Sequence, residues 1–313
     1  MQHKTNEIIT EVLKAVVGKD DVVIKVFMAI LAKGHILLDD IPGVGKTTIA
    51  MAFSRAMSLD CKRLQFTPDV MPSDITGFSI YDKQTGALQY RPGAALCNLF
   101  LADEINRTSS KTQSALLEVM EEGRVTVDGV TRPVPQPYTV IATQNPVGSA
   151  GTHLLPESQM DRFIMKLSVG YPKPADEVEI LKRKRGSDPI ETIVPVASQE
   201  DVIAMQQATE RVYICDAVYR YIASLVGATR QNPLLKLGAS PRGSLALSRL
   251  AKAAAYLSGR DYVVPEDVAI MFPDAVCHRL MLSPQAKSAG MSVADVVGRI
   301  AREVPAPAVS CER

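Results

Sequence analysis

The first 170 residues alternate short apolar runs with stretches of helical character. The candidate strands are HILLD (35–39), KRLQF (62–66), NLFLAD (98–103), YTVIATQ (138–144) and FIMKLSV (163–169). The third and fourth are apolar almost throughout, as expected of strands that are buried on both faces. Helices are predicted at about 47–58 and 110–121, with Ser109 or Ser110 capping the second. The alternation predicts an α/β fold in which helices cover a parallel sheet.

Two β-hairpins are predicted to interrupt this alternation. The segment FSIYDKQTGALQYR (78–91) has alternating flanks around Thr85-Gly86, and GRVTVDGVTRPVP (123–135) has Asp128-Gly129 at its centre. An Asp-Gly pair between alternating flanks is a strong short-range hairpin signal. A sheet covered by helices needs neither hairpin, so the simplest interpretation is a pair of solvent-exposed additions at its edge.

The second part of the chain has a different character. After Val169 come prolines at 172, 174 and 189 and a basic cluster at 182–185, which reads as a solvated linker. Further helices are predicted at 199–209, 214–230, 241–258, 265–271 and 291–303. We therefore divide the chain into residues 1–185, with the sheet and the two hairpins, and a helical unit at 186–313.

Composition excludes several classes of function. The 313 residues include 35 Lys and Arg against 34 Asp and Glu, for a net charge of +1, which gives no electrostatic footprint for duplex DNA or an anionic membrane. Lys25 and Lys33 break the most apolar stretch, so no membrane span is expected. Five scattered cysteines without a C-x-x-C pair, and the lack of a secretory signal, predict reduced thiols and a cytoplasmic location.

The turn after the first strand has the features of a phosphate-binding loop, or Walker A motif. GVGKTT (43–48) follows HILLD and opens a helix. Gly43 and Gly45 allow backbone N–H groups to turn inward, Lys46 can reach the β- and γ-phosphates, and the Thr47 hydroxyl can bind Mg²⁺. The predicted nucleotide contacts in this loop are Pro42, Gly43, Val44, Gly45, Lys46, Thr47 and Thr48.

The full pattern G-x-x-x-x-G-K-[ST] has one departure, because Asp40 stands where the first glycine is usual. Aspartate tolerates turn conformations, and its carboxylate can bond to nearby backbone. We expect Asp40 to face away from the phosphates and the loop to retain nucleotide binding.

A second motif, LFLADE (99–104), is an apolar strand that ends in two acids, as in a Walker B element. Asp103 is predicted to hold Mg²⁺, and Glu104 is predicted to act as the base that polarises the attacking water. Alone, the loop could be a chance glycine turn and the acids an ordinary solvated loop. Together, and on separate strands, they predict hydrolysis of a Mg-bound nucleoside triphosphate.

Six motifs carry a family resemblance over nearly the whole chain. They are VVGKD (16–20), GHILLDDIPGVGKTT, LADEINR, TVIATQNP, LPESQMDRF and GASPRG, in this order. With them the sequence resembles the MoxR family of AAA+ ATPases, whose loops are closer to PGxGKT than to the full pattern. The resemblance implies an αβα sandwich with a five-stranded parallel sheet in the order 5-1-4-3-2, a small all-α C-terminal lid domain, and ATP and Mg²⁺ as cofactors.

The resemblance also implies roles for residues outside the two motifs. Asn145 is similar to sensor 1, which orients the attacking water. Arg162 is similar to an arginine finger that reaches the γ-phosphate in a neighbouring subunit. Arg242 is similar to sensor 2, which touches the γ-phosphate from the lid, and Val17 and Gly18 resemble the segment that lines the adenine pocket.

These assignments have consequences and simpler alternatives. A finger at Arg162 implies a homo-oligomer, most simply a hexameric ring, and the hairpins resemble two insertions that project toward the axial channel of such rings. The alternatives are an Asn-Pro turn at Asn145 and a salt bridge between Arg162 and Asp161 or another acid on the surface.

Three functions are consistent with these features. The first is a chaperone-like remodeller that matures or activates partner complexes, since the MoxR family is associated with von Willebrand factor A-domain proteins and metal-cofactor insertion. The second is a nucleotide-dependent scaffold or switch with little turnover. The presence of Glu104, Asn145 and Arg162 argues against it, because a scaffold does not need a base, a sensor and a finger together. The third is a nucleic-acid remodelling motor, which the balanced charge disfavours.

Overall fold

The computed structural model describes residues 2–39, 43–145, 155–183 and 188–308. Asp40, Pro42 and the predicted boundary between residues 185 and 186 lie outside the described residues. The strands are β1 (Ile36–Asp39), β2 (Cys61–Gln65), β3 (Phe78–Asp82), β4 (Ala87–Arg91), β5 (Leu99–Asp103), β6 (Arg124–Val127), β7 (Val130–Pro133), β8 (Thr139–Gln144), β9 (Met165–Leu167), β10 (Leu235–Leu237) and β11 (Met281–Leu282).

Helices surround these strands and form most of the second part of the chain. The α-helices are α1 (Gln2–Ala15), α2 (Asp20–Leu31), α3 (Lys46–Ala56), α4 (Pro72–Thr76), α5 (Ser110–Glu122), α6 (Glu157–Met160), α7 (Pro174–Arg183), α8 (Gln199–Glu210), α9 (Asp216–Gln231), α10 (Pro241–Leu257), α11 (Pro265–Val276), α12 (Pro284–Ser288) and α13 (Val293–Glu303). Short 3-10 helices lie at Ile105–Arg107, Pro189–Thr192 and Cys277–Arg279. Within the described residues, no helix combines the length and the apolar character needed to cross a membrane.

A five-stranded sheet forms the centre of the first part of the chain. Its order is β2-β5-β8-β1-β9, and every neighbouring pair is parallel. Numbered along the chain, the sheet strands read 5-1-4-3-2 from one edge, so the predicted order is confirmed. Asp39 is in register with Gln144, and Gln65 with Asp103. Because the carboxyl ends of parallel strands meet at one edge, the loop and both acids lie together there.

Both faces of the sheet are buried in apolar clusters. Along β1, Ile36 and Leu38 belong to one cluster and Leu37 to the other, as the alternation of side chains in a strand requires. The first cluster includes α1, α2 and α3 and continues into the helices after residue 198. The second lies beneath α5. The N-terminal helices therefore join the sheet to the helical part of the chain through a continuous core.

The two predicted hairpins are present, and they contact each other. Asp128 and Gly129 form a two-residue turn between β6 and β7 with φ values of +51° and +74°, the positive angles of a type I′ turn. The Arg132 guanidinium lies 3.8 Å from the centre of the Tyr90 ring, which places β7 against β4. A cation over an aromatic ring is attractive, so the hairpins are coupled to each other.

The segment after Val169 differs from the predicted linker. It forms α7, which begins at Pro174, and then the 3-10 helix at Pro189–Thr192. A proline in the first turn of a helix loses no hydrogen bond, so Pro174 and Pro189 can each begin a helix. The predicted helices of the second part are all present, and one short antiparallel pair, β10 with β11, accompanies them.

Candidate active site

The loop before α3 has an anion-binding conformation. Gly43 and Gly45 have φ values of +85° and +95°, a region that residues with a side chain rarely adopt. A Cβ at either position would meet nothing within 4 Å, so conformation is what requires glycine here. Gly45 is the N-cap of α3, and a glycine has no side chain that could cap the helix. Its first N–H groups can therefore bind an anion.

Two cavities meet at this loop. The larger has a volume of about 600 Å³ and the smaller about 310 Å³. Gly43, Gly45 and Thr48 line both. One ligand with a flat apolar end and a charged end can therefore occupy both cavities, with the loop between its two parts.

The larger cavity has both apolar and charged lining residues, the charged ones being Lys19, Arg183 and Asp188. Its apolar lining residues are Ala15, Val16, Val17, Val44, Pro172, Ile180, Pro189 and Ile190. Val17, which the resemblance predicts to line an adenine pocket, is among them. Gly18 is not among the lining residues. It packs closely against α7, since a Cβ added to Gly18 would lie 2.2 Å from the Asp176 carboxylate. Sequence reasoning missed the far wall, because α7 and the helix at Pro189 were read as a linker.

The smaller cavity is polar, and most of the predicted chemical residues line it. They are Lys46, Thr47, Thr48, Asp103, Glu104 and Asn145, together with Arg63 and Gln65. Lys46 is 6% exposed, with its Nζ 3.5 Å from the carbonyl oxygen of Gln144. A buried ammonium beside two carboxylates and a helix N-terminus provides the charges that a triphosphate with a divalent cation requires.

A buried threonine on β8 orders both acids. The Thr143 hydroxyl donates to Asp103 Oδ1 at 2.6 Å and accepts from the Glu104 N–H at 2.8 Å. The other oxygen of Asp103 accepts from Arg63 Nη2 at 2.7 Å. The sequence indicated the two acids but not Thr143 or Arg63. Both can be found only once the register of β2, β5 and β8 is known.

Glu104 occupies a strained and highly ordered position. Its φ of +59° is left-handed, which turns the chain sharply from β5 into the 3-10 helix. Its Oε1 accepts from Asn145 Nδ2 at 3.0 Å, and its Oε2 accepts from Arg107 Nη1 at 2.8 Å. Burial acts to raise the pKa of Glu104, but these two donors outweigh it and the pKa lies below its ordinary value. The carboxylate is therefore ionised at neutral pH.

Asn145 has one hydrogen-bonding group left for a ligand. The Asn106 side chain brackets its backbone, accepting from the Asn145 N–H at 3.2 Å and donating to its carbonyl at 3.1 Å. Asn145 is 7% exposed, and its Oδ1 has no hydrogen-bond partner among the described residues. A buried acceptor without a donor is costly unless a ligand or water completes it. Asn145 can thus hold a water beside the Glu104 carboxylate.

The two predicted arginines lie together, away from the loop. Arg162 Nη1 is 3.0 Å from Glu121 Oε2 and donates to the carbonyl of Leu117 at 2.6 Å. Arg242 Nη2 pairs with the other oxygen of Glu121. Both arginines line a third cavity of about 310 Å³, along with Lys33, Arg249 and Arg279. Neither lines the cavities at the loop of this chain.

Arg242 does not reach from the lid toward the loop of its own chain, because the start of α10 is bound elsewhere: the Ser240 hydroxyl donates to Asp161 Oδ2 at 2.8 Å. Arg162 forms a salt bridge, as the simpler alternative predicts, and the acid is Glu121. Asp161 pairs instead with the buried Arg279. Arg279 also donates to the carbonyl of Phe163 at 2.6 Å, which fixes the turn that carries Arg162.

Comparisons with known proteins agree with this architecture. Residues 35–165 match the model of the ATPase family associated with various cellular activities (AAA), and residues 227–300 match the AAA lid domain. The protein YeaC of Bacillus subtilis (strain 168) is 50% identical over 94% of this chain and 92% of its own length. The chaperone MoxR1 of Mycobacterium tuberculosis is 39% identical over 98% of this chain and 84% of its own.

A solved structure agrees in fold over nearly the full length. The crystal structure of a candidate ATPase from Cytophaga hutchinsonii superimposes with a TM-score of 0.91 at 37% identity, covering 98% of this chain and 96% of that one. Two full-length relatives above 30% identity, both AAA models and the matching sheet order lead to one assignment. The chain belongs to the MoxR family of AAA+ ATPases.

Proposed function

We propose that this chain hydrolyses Mg-ATP at a site shared between two subunits of a homo-oligomeric ring, and that the cycle remodels client proteins. The observation that carries the proposal is the division of the site. Lys46, Asp103, Glu104 and Asn145 line the cavity at the loop, whereas Arg162 and Arg242 line a separate cavity. A second copy can bring its arginines to the loop cavity of the first.

The residues of the loop fit ATP with Mg²⁺. The adenine occupies the larger cavity beside Val17, and the phosphates lie at the N-terminus of α3. Lys46 binds the β- and γ-phosphates. Thr47 and Asp103 would hold Mg²⁺, which would supply positive charge against the charge that develops on the phosphates.

The acids and the sensor provide the chemistry. Glu104 accepts the proton of the attacking water, which Asn145 Oδ1 orients by accepting its other hydrogen. Arg162 and Arg242 of the neighbouring subunit stabilise the charge on the γ-phosphate. We take the ring to have six subunits, as the family resemblance implies.

Mixing two variants tests the shared site. Lys46→Ala removes nucleotide binding but keeps the arginines, whereas Arg162→Ala keeps nucleotide binding but lacks the finger. Each alone should have little turnover. The mixture should regain part of it, because an intact loop then meets an intact arginine pair. A mixture as inactive as its components would refute a finger that acts between subunits.

The remodelling role rests on less than the ATPase activity. One relative is named a chaperone, and the coupled hairpins carry exposed apolar side chains at Phe78, Ile80, Tyr81 and Leu88. We propose clients that carry a von Willebrand factor A domain or need a metal cofactor. A Glu104→Gln ring with bound ATP should retain such a client in a pull-down. Recovery of no protein by an intact ring would count against remodelling.

A further inference from the structure

We propose that Glu121 is a positioning residue that holds Arg162 and Arg242 as a pair and presents both to the triphosphate of the neighbouring subunit. This inference rests on the proposed function, in which these arginines act between subunits. It adds a carboxylate, near the end of α5, that neither sequence motif indicated.

Each oxygen of the Glu121 carboxylate contacts one of the two arginines. Oε2 of Glu121 meets Arg162 at 3.0 Å, and Oε1 meets Arg242. The two arginines come from different parts of the fold, one from the turn before β9 and the other from the first turn of α10. Only Glu121, among the described residues, pairs with both.

The pairing leaves each arginine able to bind a phosphate. Arg162 uses Nη1 for Glu121 and for the carbonyl of Leu117, and Arg242 uses Nη2. A guanidinium carries five N–H donors, and within the described residues Nη2 and Nε of Arg162 and Nη1 and Nε of Arg242 have no protein acceptor. The arginines can therefore bind the phosphate without leaving Glu121.

Electrostatics explains why the pair needs this carboxylate. Two guanidinium groups on one carboxylate repel each other, and Lys33, Arg249 and Arg279 line the same cavity. Glu121 and Asp161 are the acids in that lining, and Asp161 is committed to Arg279. Without the charge of Glu121, we expect Arg162 and Arg242 to separate into solvent.

The opposite effect is conceivable for an acid beside catalytic arginines, because it could compete with the phosphate. The exposed fractions argue against strong competition: they are 38% for Glu121, 30% for Arg162 and 49% for Arg242. Ion pairs this exposed are weak, whereas a triphosphate carries several charges. Glu121 therefore orients the arginines more than it restrains them.

The experiment places Glu121→Gln on one side of the shared site at a time. The reference is the mixture of Lys46→Ala, which donates arginines, with Arg162→Ala, which binds ATP. Adding Glu121→Gln to the Lys46→Ala subunit should lower kcat of the mixture roughly 5-fold, an effect of the size expected for a lost charged contact, with KM nearly unchanged. Adding Glu121→Gln to the Arg162→Ala subunit should leave kcat of the mixture equal to that of the reference.

Glu122→Gln, placed in the same two positions, is the matched control. Glu122 is adjacent on α5 and pairs with the exposed Arg124 at 2.8 Å, outside the arginine cavity. It should leave the rate unchanged on either subunit. Binding of a fluorescent ATP analogue to the Glu121→Gln chain, and its melting temperature, should match those of the wild type.

Each outcome decides between specific alternatives. If Glu121→Gln lowers kcat equally in either subunit, or changes it in neither, the role of Glu121 is overturned and the proposed function stays intact. If kcat rises only when the Lys46→Ala subunit carries Glu121→Gln, Glu121 competes with the phosphate and the proposal in its stated form is overturned. An inactive reference mixture refutes the arginine transfer itself, and with it both proposals.

Discussion

Single buried groups order the acids of the site. The Thr143 hydroxyl is fully buried and satisfies both Asp103 Oδ1 and the N–H of Glu104. Such a hydroxyl cannot be replaced by an apolar group of the same shape without leaving two polar partners unsatisfied in a buried place. The geometry of the two acids therefore depends on a residue that is not itself ionisable.

We predict that Thr143→Val lowers the free energy of unfolding by about 1–3 kcal/mol, because it leaves buried partners unsatisfied. ATP turnover should fall as well, since Asp103 and Glu104 lose their orientation. Thr139→Val is the matched control on the same face of β8, where the buried hydroxyl has no partner among the described residues. It should leave stability unchanged or slightly higher in denaturant unfolding. Equal losses in both variants would contradict this account.

A buried histidine beside Arg279 makes the free energy of unfolding depend on pH. His278 Nε2 lies 3.0 Å from the carbonyl of Phe163, and burial together with the charge of Arg279 lowers its pKa to about 3. The unfolded chain binds a proton near pH 6.5 that the folded chain does not. Stability is therefore retained above that pH and lost as pH falls from about 6.5 toward 3.

His278→Gln should remove this dependence while keeping a donor for Phe163. The free energy of unfolding of the wild type should fall more steeply than that of the variant, by up to about 1.4 kcal/mol per pH unit between pH 6 and pH 4. Denaturant unfolding at several pH values measures the difference. A curve for His278→Gln that is parallel to that of the wild type would show that His278 does not titrate in this way.

At the residue scale, the sequence indicated groups that act on a ligand but not those that hold them. Lys46, Asp103 and Glu104 stand in motifs whose spacing has a chemical reason. Thr143 and Glu121 act through contacts between elements distant in sequence, which no local pattern reveals.

At the scale of elements, α5 connects the acids of the site, the arginine pair and the second hairpin. It begins shortly after Glu104, and it carries Leu117 and Glu121, which contact the arginines. It ends at Glu122, and the next residue, Gly123, has a φ of +62° and turns the chain into β6. A change at the arginine pair can therefore reach the second hairpin through one helix.

The start of α5 provides a test of local stability. The Ser109 hydroxyl accepts from the N–H of Thr112 at 3.3 Å, so the N-cap is Ser109 and not Ser110. We predict that Ser109→Ala lowers the free energy of unfolding by about 1 kcal/mol. Ser110→Ala, one residue later and equally exposed, should change it by much less. Reversed effects in thermal unfolding would contradict the assigned cap.

Helices and strands were predicted correctly where the pattern of apolar residues or the turn residues were clear. They were predicted poorly where prolines were taken to end secondary structure. The strands of the sheet and the Asp128-Gly129 turn follow from apolar runs and turn chemistry. The helix α7 was missed because Pro172 and Pro174 were read as breakers, although the first turn of a helix accepts proline. That error also hid the wall of the larger cavity.

At the scale of the whole molecule, the central claim is that one chain holds two halves of different active sites. The order of the sheet could be predicted from the family resemblance, and the structure confirms it. The separation of Arg242 from the loop could not be predicted, because it depends on how the second part of the chain packs against the turn at Asp161.

The most direct test measures ATP hydrolysed per subunit over a wide range of protein concentration, with the assembly state determined in the same samples. The account predicts a rate per subunit that is very low for the monomer, rises as subunits assemble, and levels off when assembly is complete. A rate per subunit that is constant across assembly would show that one chain completes its own site. A rate of zero in the assembled state would favour a scaffold instead.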